Sequence, residues 1–361
     1  LPPIPQDTRR QRLIQNDLAA ILKQQDLNSL VSYRVTGGTV AERQLGAKWI
    51  EPVIGTRRTD EILVSPGAQS ALAAIVSTHT QPGDIIVTDR IAYPGIRTIA
   101  AQFGLILVGV ESDAEGMLPE QLDRACSEHH PRLLYCIPTI HNPTTATMSL
   151  QRRKDILAVA QHHHLTIAED DPYSLLMDNP LPALAALDHG RVSYIATLAK
   201  TLSPGLRTAY VALPNPDMAR RVTAAIRALA LTNAGLLSAL AARWMQSGQA
   251  QAILHGIQKE LRLRQSVARR ILGEDHCSNP DGPHVWLKLP DWWGSADFVA
   301  YARRRGLALV PSTVFTISGE PPQRARIALG SAPDVASLEE SLHGVLSVLQ
   351  HKRSPGFTDI V

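Results

Sequence analysis

The chain has 361 residues, 44% of them hydrophobic and 19% charged, an ordinary globular composition that excludes long disorder, collagen and coiled coil. The length suits two domains, or one large domain with a lobe attached, and no apolar run reaches the roughly 20 residues of a membrane helix. A formal net charge of +3 is too small to argue for nucleic-acid binding by these residues, and three cysteines (Cys126, Cys136, Cys277) are too few for a disulfide framework, so a cytoplasmic home is expected.

The first residues, Leu1-Pro2-Pro3-Ile4-Pro5, carry no initiating Met and no secretory leader, and a removed upstream segment is expected. From Arg10 to Gln24 the spacing of Leu13, Leu18, Ile21 and Leu22 predicts one helical face, and a second helix is expected over 40–50. From Asp60 short β-branched runs alternate with helical segments. Strands are expected at 61–64, 84–87, 105–108, 133–136, 165–168, 192–195 and 209–212. Between them, helices are expected at 69–79, 95–103, 119–128 and 150–162. Such alternation predicts a mostly parallel sheet with helices on both faces, and ligands beyond the carboxyl ends of its strands. Residues 216–272 read as helical, with breaks near Asn233-Ala234-Gly235 and Ser247-Gly248. A small α+β lobe follows, with strands at 285–288, 307–310 and 325–328 and helices at 296–305 and 335–350. The expected divisions are 1–55 (arm and helices), 56–215 (large domain), 216–275 (bridging helices), 276–350 (small domain) and 351–361 (tail).

No GxGxxG follows a strand and no GxxxxGKS is present, so dinucleotide and P-loop readings lack their signatures. Three other segments carry chemistry. Ser65-Pro66-Gly67-Ala68-Gln69 leads straight from a strand into a helix, whose free N–H groups and dipole suit a phosphate. Glu169-Asp170-Asp171-Pro172-Tyr173 sets three acids at the end of a buried strand, costly unless something positive meets them. Lys200 follows an apolar strand, with Arg207 past a Pro-Gly turn, and a desolvated lysine of lowered pKa can form a Schiff base.

Taken in order, SPGAQ, Tyr93-Pro94-Gly95, His141-Asn142-Pro143-Thr144, EDDPY, Lys200 with Arg207, and Arg326 within RARIALGSAP resemble the fold-type I pyridoxal phosphate (PLP) enzymes, the aminotransferase class I/II superfamily. The resemblance covers nearly the whole chain and implies a seven-stranded, mostly parallel sheet. It implies Lys200 as the amine that condenses with PLP and then shuttles the proton, and Asp170 as partner of the pyridine nitrogen. It implies Tyr173 and Asn142 as donors to the ring's phenolate oxygen and Tyr93 as the residue stacked on the ring. The phosphate would meet Gly67, Ala68, Gln69, Thr197 and Arg207, while Arg326, its planar fork suited to bidentate contact, would clamp the substrate carboxylate together with Asn142. Tyr33 matches a tyrosine that reaches the phosphate of a neighbouring subunit, which implies a homodimer binding an amino acid or 2-oxo acid. Two departures stand out: Ala199 replaces a serine common before the lysine, and Thr145 stands where NPTG motifs carry glycine.

Within the superfamily, LPPIPQD, AYPGIR, DAEGMLPEQL, YCIPTIHNPTTATM and EDDPYSLL are most similar to the aminotransferase-like domain of MocR-type GntR regulators. That branch implies a DNA-binding winged helix-turn-helix upstream and amino-acid sensing here; the alternative is a free-standing aminotransferase. Four other features carry plainer expectations. His162-His163-His164 reads as a solvated helix end with no metal, Arg303-Arg304-Arg305 as a helix terminus, Trp292-Trp293 as lobe packing and Cys136 as an inert core thiol.

Overall fold

The computed structural model describes residues 3, 8–24, 27–274 and 276–351; the expected tail beyond His351 and most of the Pro-rich start lie outside them. Ahead of the first strand come α1 (Thr8–Gln24), α2 (Leu27–Val31) and α3 (Val40–Ile54). Thr39 opens α3 with a reciprocal cap: its hydroxyl accepts the Glu42 N–H, and the Glu42 carboxylate accepts the Thr39 N–H. Such caps are worth about 1 kcal/mol.

The alternating segment then runs β1 (Ile62–Ser65), α4 (Ala68–His79), β2 (Ile85–Asp89), α5 (Pro94–Phe103) and β3 (Ile106–Val110). A small hairpin, β4 (Ser112–Asp113) with β5 (Gly116–Met117), leads into α6 (Pro119–His129), β6 (Leu133–Cys136), α7 (Leu150–His162) and β7 (Thr166–Asp170). After α8 (Leu184–Leu187) come β8 (Val192–Thr197), α9 (Leu198–Thr201) and β9 (Ala209–Ala212). The large sheet has seven strands in the order β1-β9-β8-β7-β6-β2-β3. Strand β9 runs against both its neighbours, and the other pairings are parallel.

Side chains alternate across this sheet and meet apolar layers on both faces. Leu134, Cys136 and Ile167 pack into one layer, while Leu133, Tyr135 and Ala168 pack into the other. Two covered faces are why the central strands read as nearly continuous apolar runs. Each fully buried Leu or Ile contributes roughly 1.5–3 kcal/mol.

The remainder runs α10 (Pro216–Ala230), α11 (Gly235–Gln246), α12 (Gln249–Leu272), β10 (His276–Ser278), β11 (His284–Lys288), α13 (Ser295–Arg304), β12 (Val310–Pro311), β13 (Arg324–Ala328) and α14 (Val335–Gln350). Its strands form an antiparallel sheet in the order β10-β11-β13-β12. Val285, Leu287, Trp293, Phe298 and Leu342 fill the core beneath it.

One expected strand is shortened. Leu307 returns its N–H to the Ala302 carbonyl, so the chain is still leaving α13 where pairing was expected, and only Val310–Pro311 join the sheet. Strands β4, β5 and β10 are two or three residues long, too short to leave a periodic signal in the sequence. Among the described residues no helix is long and apolar enough to cross a membrane.

Candidate active site

A cavity of about 310 Å³ opens at the carboxyl ends of β7 and β8 and is closed on one side by β11 and β13. Asp170, Tyr173, Lys200, Ala68, Gln69, Tyr93, Asn142, Thr197, Arg207 and Arg326 all line it. Residues far apart in the sequence therefore share one space.

Strand β7 explains which of the three acids does what. Glu169 and Asp171 point away from Asp170 because side chains alternate along a strand. Glu169 accepts the N–H groups of Leu184 and Ala185, capping α8. Asp171 accepts the N–H groups of Tyr173 and Ser174 and the Tyr194 hydroxyl. Asp170 faces the cavity and accepts a hydrogen bond from the Tyr135 hydroxyl at 3.0 Å. Burial pushes its carboxyl up to about 6, against the opposing pull of Tyr135 and, more weakly, Lys200.

Lys200 sits on the single turn of α9, which Thr197 caps by accepting the Ala199 N–H. Burial, reinforced by the Arg326 charge, lowers the Lys200 pKa, and Asp170 opposes the shift. A larger share of neutral amine is the result, the form that attacks a carbonyl.

One end of the cavity is built by α4 and Arg207, with Gly67 just behind them. Gly67 stands at φ 103°, a conformation that favours glycine, and a Cβ there would lie 2.9 Å from Arg207 Nη2 and push against the guanidinium. No side chain caps α4, which leaves its first N–H groups and its positive dipole end for an anion. Arg207 is itself in the left-handed region, at φ 46°, a conformation of the kind held at functional sites by surrounding structure. Tyr93 opens α5 and leans toward the side-chain amide of Gln69, which donates to the Gly95 carbonyl. A Cβ on Gly95 would fall 2.2 Å from Tyr93 Cε1, so that glycine makes room for the tyrosine ring.

At the other end, Arg326 on β13 donates from Nη1 to Asn142 Oδ1 at 2.8 Å and lies 5.1 Å from the centre of the Phe315 ring. Its Nε is buried without a hydrogen-bond partner, a donor left for a ligand. With its oxygen engaged, Asn142 offers its NH₂ to the cavity. Burial raises the Tyr173 pKa, so its hydroxyl remains a donor. The glycine-made cradle beside Arg207, the buried carboxyl, the half-buried amine and the unpaired Arg326 Nε fit a phosphorylated pyridine aldehyde together with a carboxylate ligand.

Tyr33 lies elsewhere. It is 86% exposed, in a surface depression with Arg34, Thr36, Arg220 and Arg227, outside the cavity of its own chain. Two contributors escaped the sequence reading. Tyr135 looked like an ordinary strand residue. His284, also in the cavity wall, contacts the His141 carbonyl at 3.3 Å, and burial together with the Arg326 charge holds it neutral, with its pKa pushed down to about 3. A histidine directly ahead of the apolar run Val285-Trp286-Leu287 was the available signal for His284.

The other side chains singled out from the sequence lie away from this cavity. Cys126 and Cys136 are buried free thiols, and Trp293 is packed against Phe298 in the lobe core. Arg305 stacks 4.2 Å from the Tyr301 ring centre. His162 and His163 end α7 beside Asp123 of α6.

The profile of aminotransferase class I and II matches residues 5–344. The chain is 32% identical over 327 residues to the uncharacterized HTH-type transcriptional regulator YdeF of Bacillus subtilis, covering 90% of this chain and 71% of that protein. Against the HTH-type regulator TauR of Rhodobacter capsulatus it is 28% identical, covering 71% of this chain and 53% of the other. It is also 28% identical to aromatic-amino-acid aminotransferase 1 of Thermococcus litoralis, covering 79% and 72%. Among solved structures, Pyrococcus horikoshii kynurenine aminotransferase superposes with a TM-score of 0.86 at 25% identity, over 94% of this chain and 87% of that one. The chain belongs to the aminotransferase class I and II family, whose chemistry depends on PLP.

Proposed function

We propose that this chain is the PLP-binding, amino-acid-recognising domain of a MocR-type GntR regulator. The observation that carries the binding reading is the convergence of Lys200, Asp170, Arg207 and Arg326 on one cavity. Regulators such as YdeF and TauR, longer than the part this chain matches, support the regulatory setting. DNA contact belongs in this proposal to a winged helix-turn-helix upstream, and the setting is cytoplasmic. Residues 56–215 form the PLP-binding part, 216–275 bridge, and 276–350 form the small domain that supplies Arg326.

When bound, PLP supplies an electron sink for the amino acid's α-carbon. Lys200 contributes the amine for the cofactor's aldehyde and, once displaced, holds or moves the α-proton at Nζ. Asp170, in its ionised form, keeps a proton on the pyridine nitrogen. Tyr173 Oη and Asn142 Nδ2 donate to the ring's oxygen, and Tyr93 covers the ring face. Gly67, Ala68, Gln69, Thr197 and Arg207 hold the phosphate. Arg326 takes the α-carboxylate of an amino acid or 2-oxo acid. Tyr33, exposed among Val31, Val35 and Leu231, reaches the phosphate site of a second copy, which makes the working unit a homodimer.

A second reading, a free-standing aminotransferase, draws support from the similarity to the Thermococcus litoralis enzyme and from a complete set of reacting side chains. Titration of PLP-loaded protein with amino acids, with a different 2-oxo acid in excess as amino acceptor, followed in the visible spectrum and by assay for the 2-oxo acid of the added amino acid, separates the two. A saturable spectral change with at most one equivalent of 2-oxo acid supports sensing, and repeated turnover supports the enzyme. No spectral response to any amino acid would overturn both.

A further inference from the structure

We propose a transition-metal site at the opposite end of the large sheet, formed by Asp123, His162 and His163. Helices α6 and α7 lie side by side, and they bring these three residues together: one carboxylate oxygen and one ring nitrogen from each histidine lie within 4.8 Å of one another. His163 Nε2 is already 2.7 Å from Asp123 Oδ1, and the two imidazoles stand nearly perpendicular, with centroids 4.7 Å apart. Donors around a four-coordinate zinc ion, at bonds of about 2.0–2.1 Å, sit roughly 3.3 Å apart. Asp123 and His162 are exposed, so small rotations close that difference without disturbing a core.

The ligand chemistry selects the metal class. Two imidazoles and one carboxylate suit zinc and its late divalent neighbours rather than magnesium or calcium, which prefer all-oxygen shells. Both histidines sit at the carboxyl end of α7, where the helix dipole favours a cation. Three protein ligands leave one position for water.

The location separates this site from the PLP cavity. An adjoining depression lined by His79, Cys126, His130, Arg132, His163 and Thr166 lies where β6 and β7 begin, because Arg132 precedes β6 and Thr166 opens β7. Asp170 closes the same strand at its far end, four residues on, roughly 13 Å away at 3.3 Å per residue. The bound ion therefore ties α6 to α7 and takes no part in the chemistry of the amine.

Zinc chloride titrated calorimetrically into the metal-stripped 361-residue chain tests the site. Wild type should bind one zinc equivalent that His162→Ala/His163→Ala loses or binds at least 100-fold more weakly. Asp123→Asn should weaken that equivalent about tenfold, with an unchanged far-ultraviolet circular dichroism spectrum. Zinc should also raise the wild-type melting temperature and leave that of the double variant unmoved. Equal zinc stoichiometry and affinity in wild type and Asp123→Asn, or in wild type and a folded double variant, would overturn the proposal. The visible spectrum of bound PLP should be the same with and without zinc.

Discussion

Tyr135 on β6 donates its phenolic hydrogen to Asp170 on β7, and both side chains are buried. The bond stabilises the ionised carboxylate against its burial. It also leaves the carboxyl that we propose as partner of the cofactor's pyridine nitrogen tied to a neighbouring strand, with little freedom to turn.

Tyr135→Phe keeps the ring and removes only that hydrogen bond. Hydrogen bonds to charged groups contribute about 1.5–3 kcal/mol, so PLP affinity should fall at least tenfold, read by absorbance titration of the PLP-free protein. Unchanged affinity would show that Asp170 does not depend on Tyr135.

The Asp170 carboxyl has its pKa raised from an ordinary 3.8 to about 6. A carboxyl whose folded pKa is raised contributes stability that is fully present below its unfolded pKa and is lost as pH rises through the folded value. The PLP-free protein should therefore lose stability on this account between about pH 4 and 6, and Asp170→Asn should flatten that part of the profile. His141 and His284, whose pKa values burial lowers, act in the opposite direction on the acid side, equally in both proteins. Urea unfolding of wild type and variant across that range isolates the difference, and identical slopes would count against it. PLP affinity should show the reverse trend and weaken as pH falls through about 6, as Asp170 gains a proton.

Gly67→Ala tests the phosphate cradle. The added methyl meets both a positive φ and the Arg207 guanidinium. A backbone at φ 103° and ψ 164° is essentially restricted to glycine and costs another residue about 1–3 kcal/mol, so PLP should bind roughly tenfold more weakly while the circular dichroism spectrum is retained. Full PLP affinity in Gly67→Ala would mean that the phosphate sits elsewhere.

Much of this was legible in the sequence, for identifiable physical reasons. Continuous apolar runs such as Leu133–Cys136 announce strands covered on both faces, and the acids closing β7 announce a site because carboxylates are not buried idly. What stayed hidden depends on which elements meet in space. Tyr135 is one apolar-looking residue among four until β7 lies beside it. His284 joins the cavity because β11 crosses in front of Tyr173, with ring centroids 5.9 Å apart. In the EDD run the family resemblance pointed to Asp170, but the physical reason that Glu169 and Asp171 are structural came only with α8 and Tyr194 in position.

Arg326→Ala should separate ligand from cofactor. The guanidinium is held by Asn142 and lies near Phe315, at the end of the cavity remote from Arg207 and Gly67. Amino-acid affinity should drop about a hundredfold, the loss of a bidentate charge pair, while PLP affinity changes only a few-fold. Arg326→Lys keeps the charge without the planar fork and should recover little of the loss. Spectral titration reads both affinities, and a parallel fall in the two would point to a disturbed fold.

The identity of the reacting amine is decided by borohydride reduction of PLP-loaded protein followed by peptide mass spectrometry. Wild type should carry the reduced cofactor mass on the peptide that contains Lys200, and Lys200→Ala should carry none. A cofactor mass on any other lysine in wild type, or one that survives in Lys200→Ala, would contradict the assignment of this site.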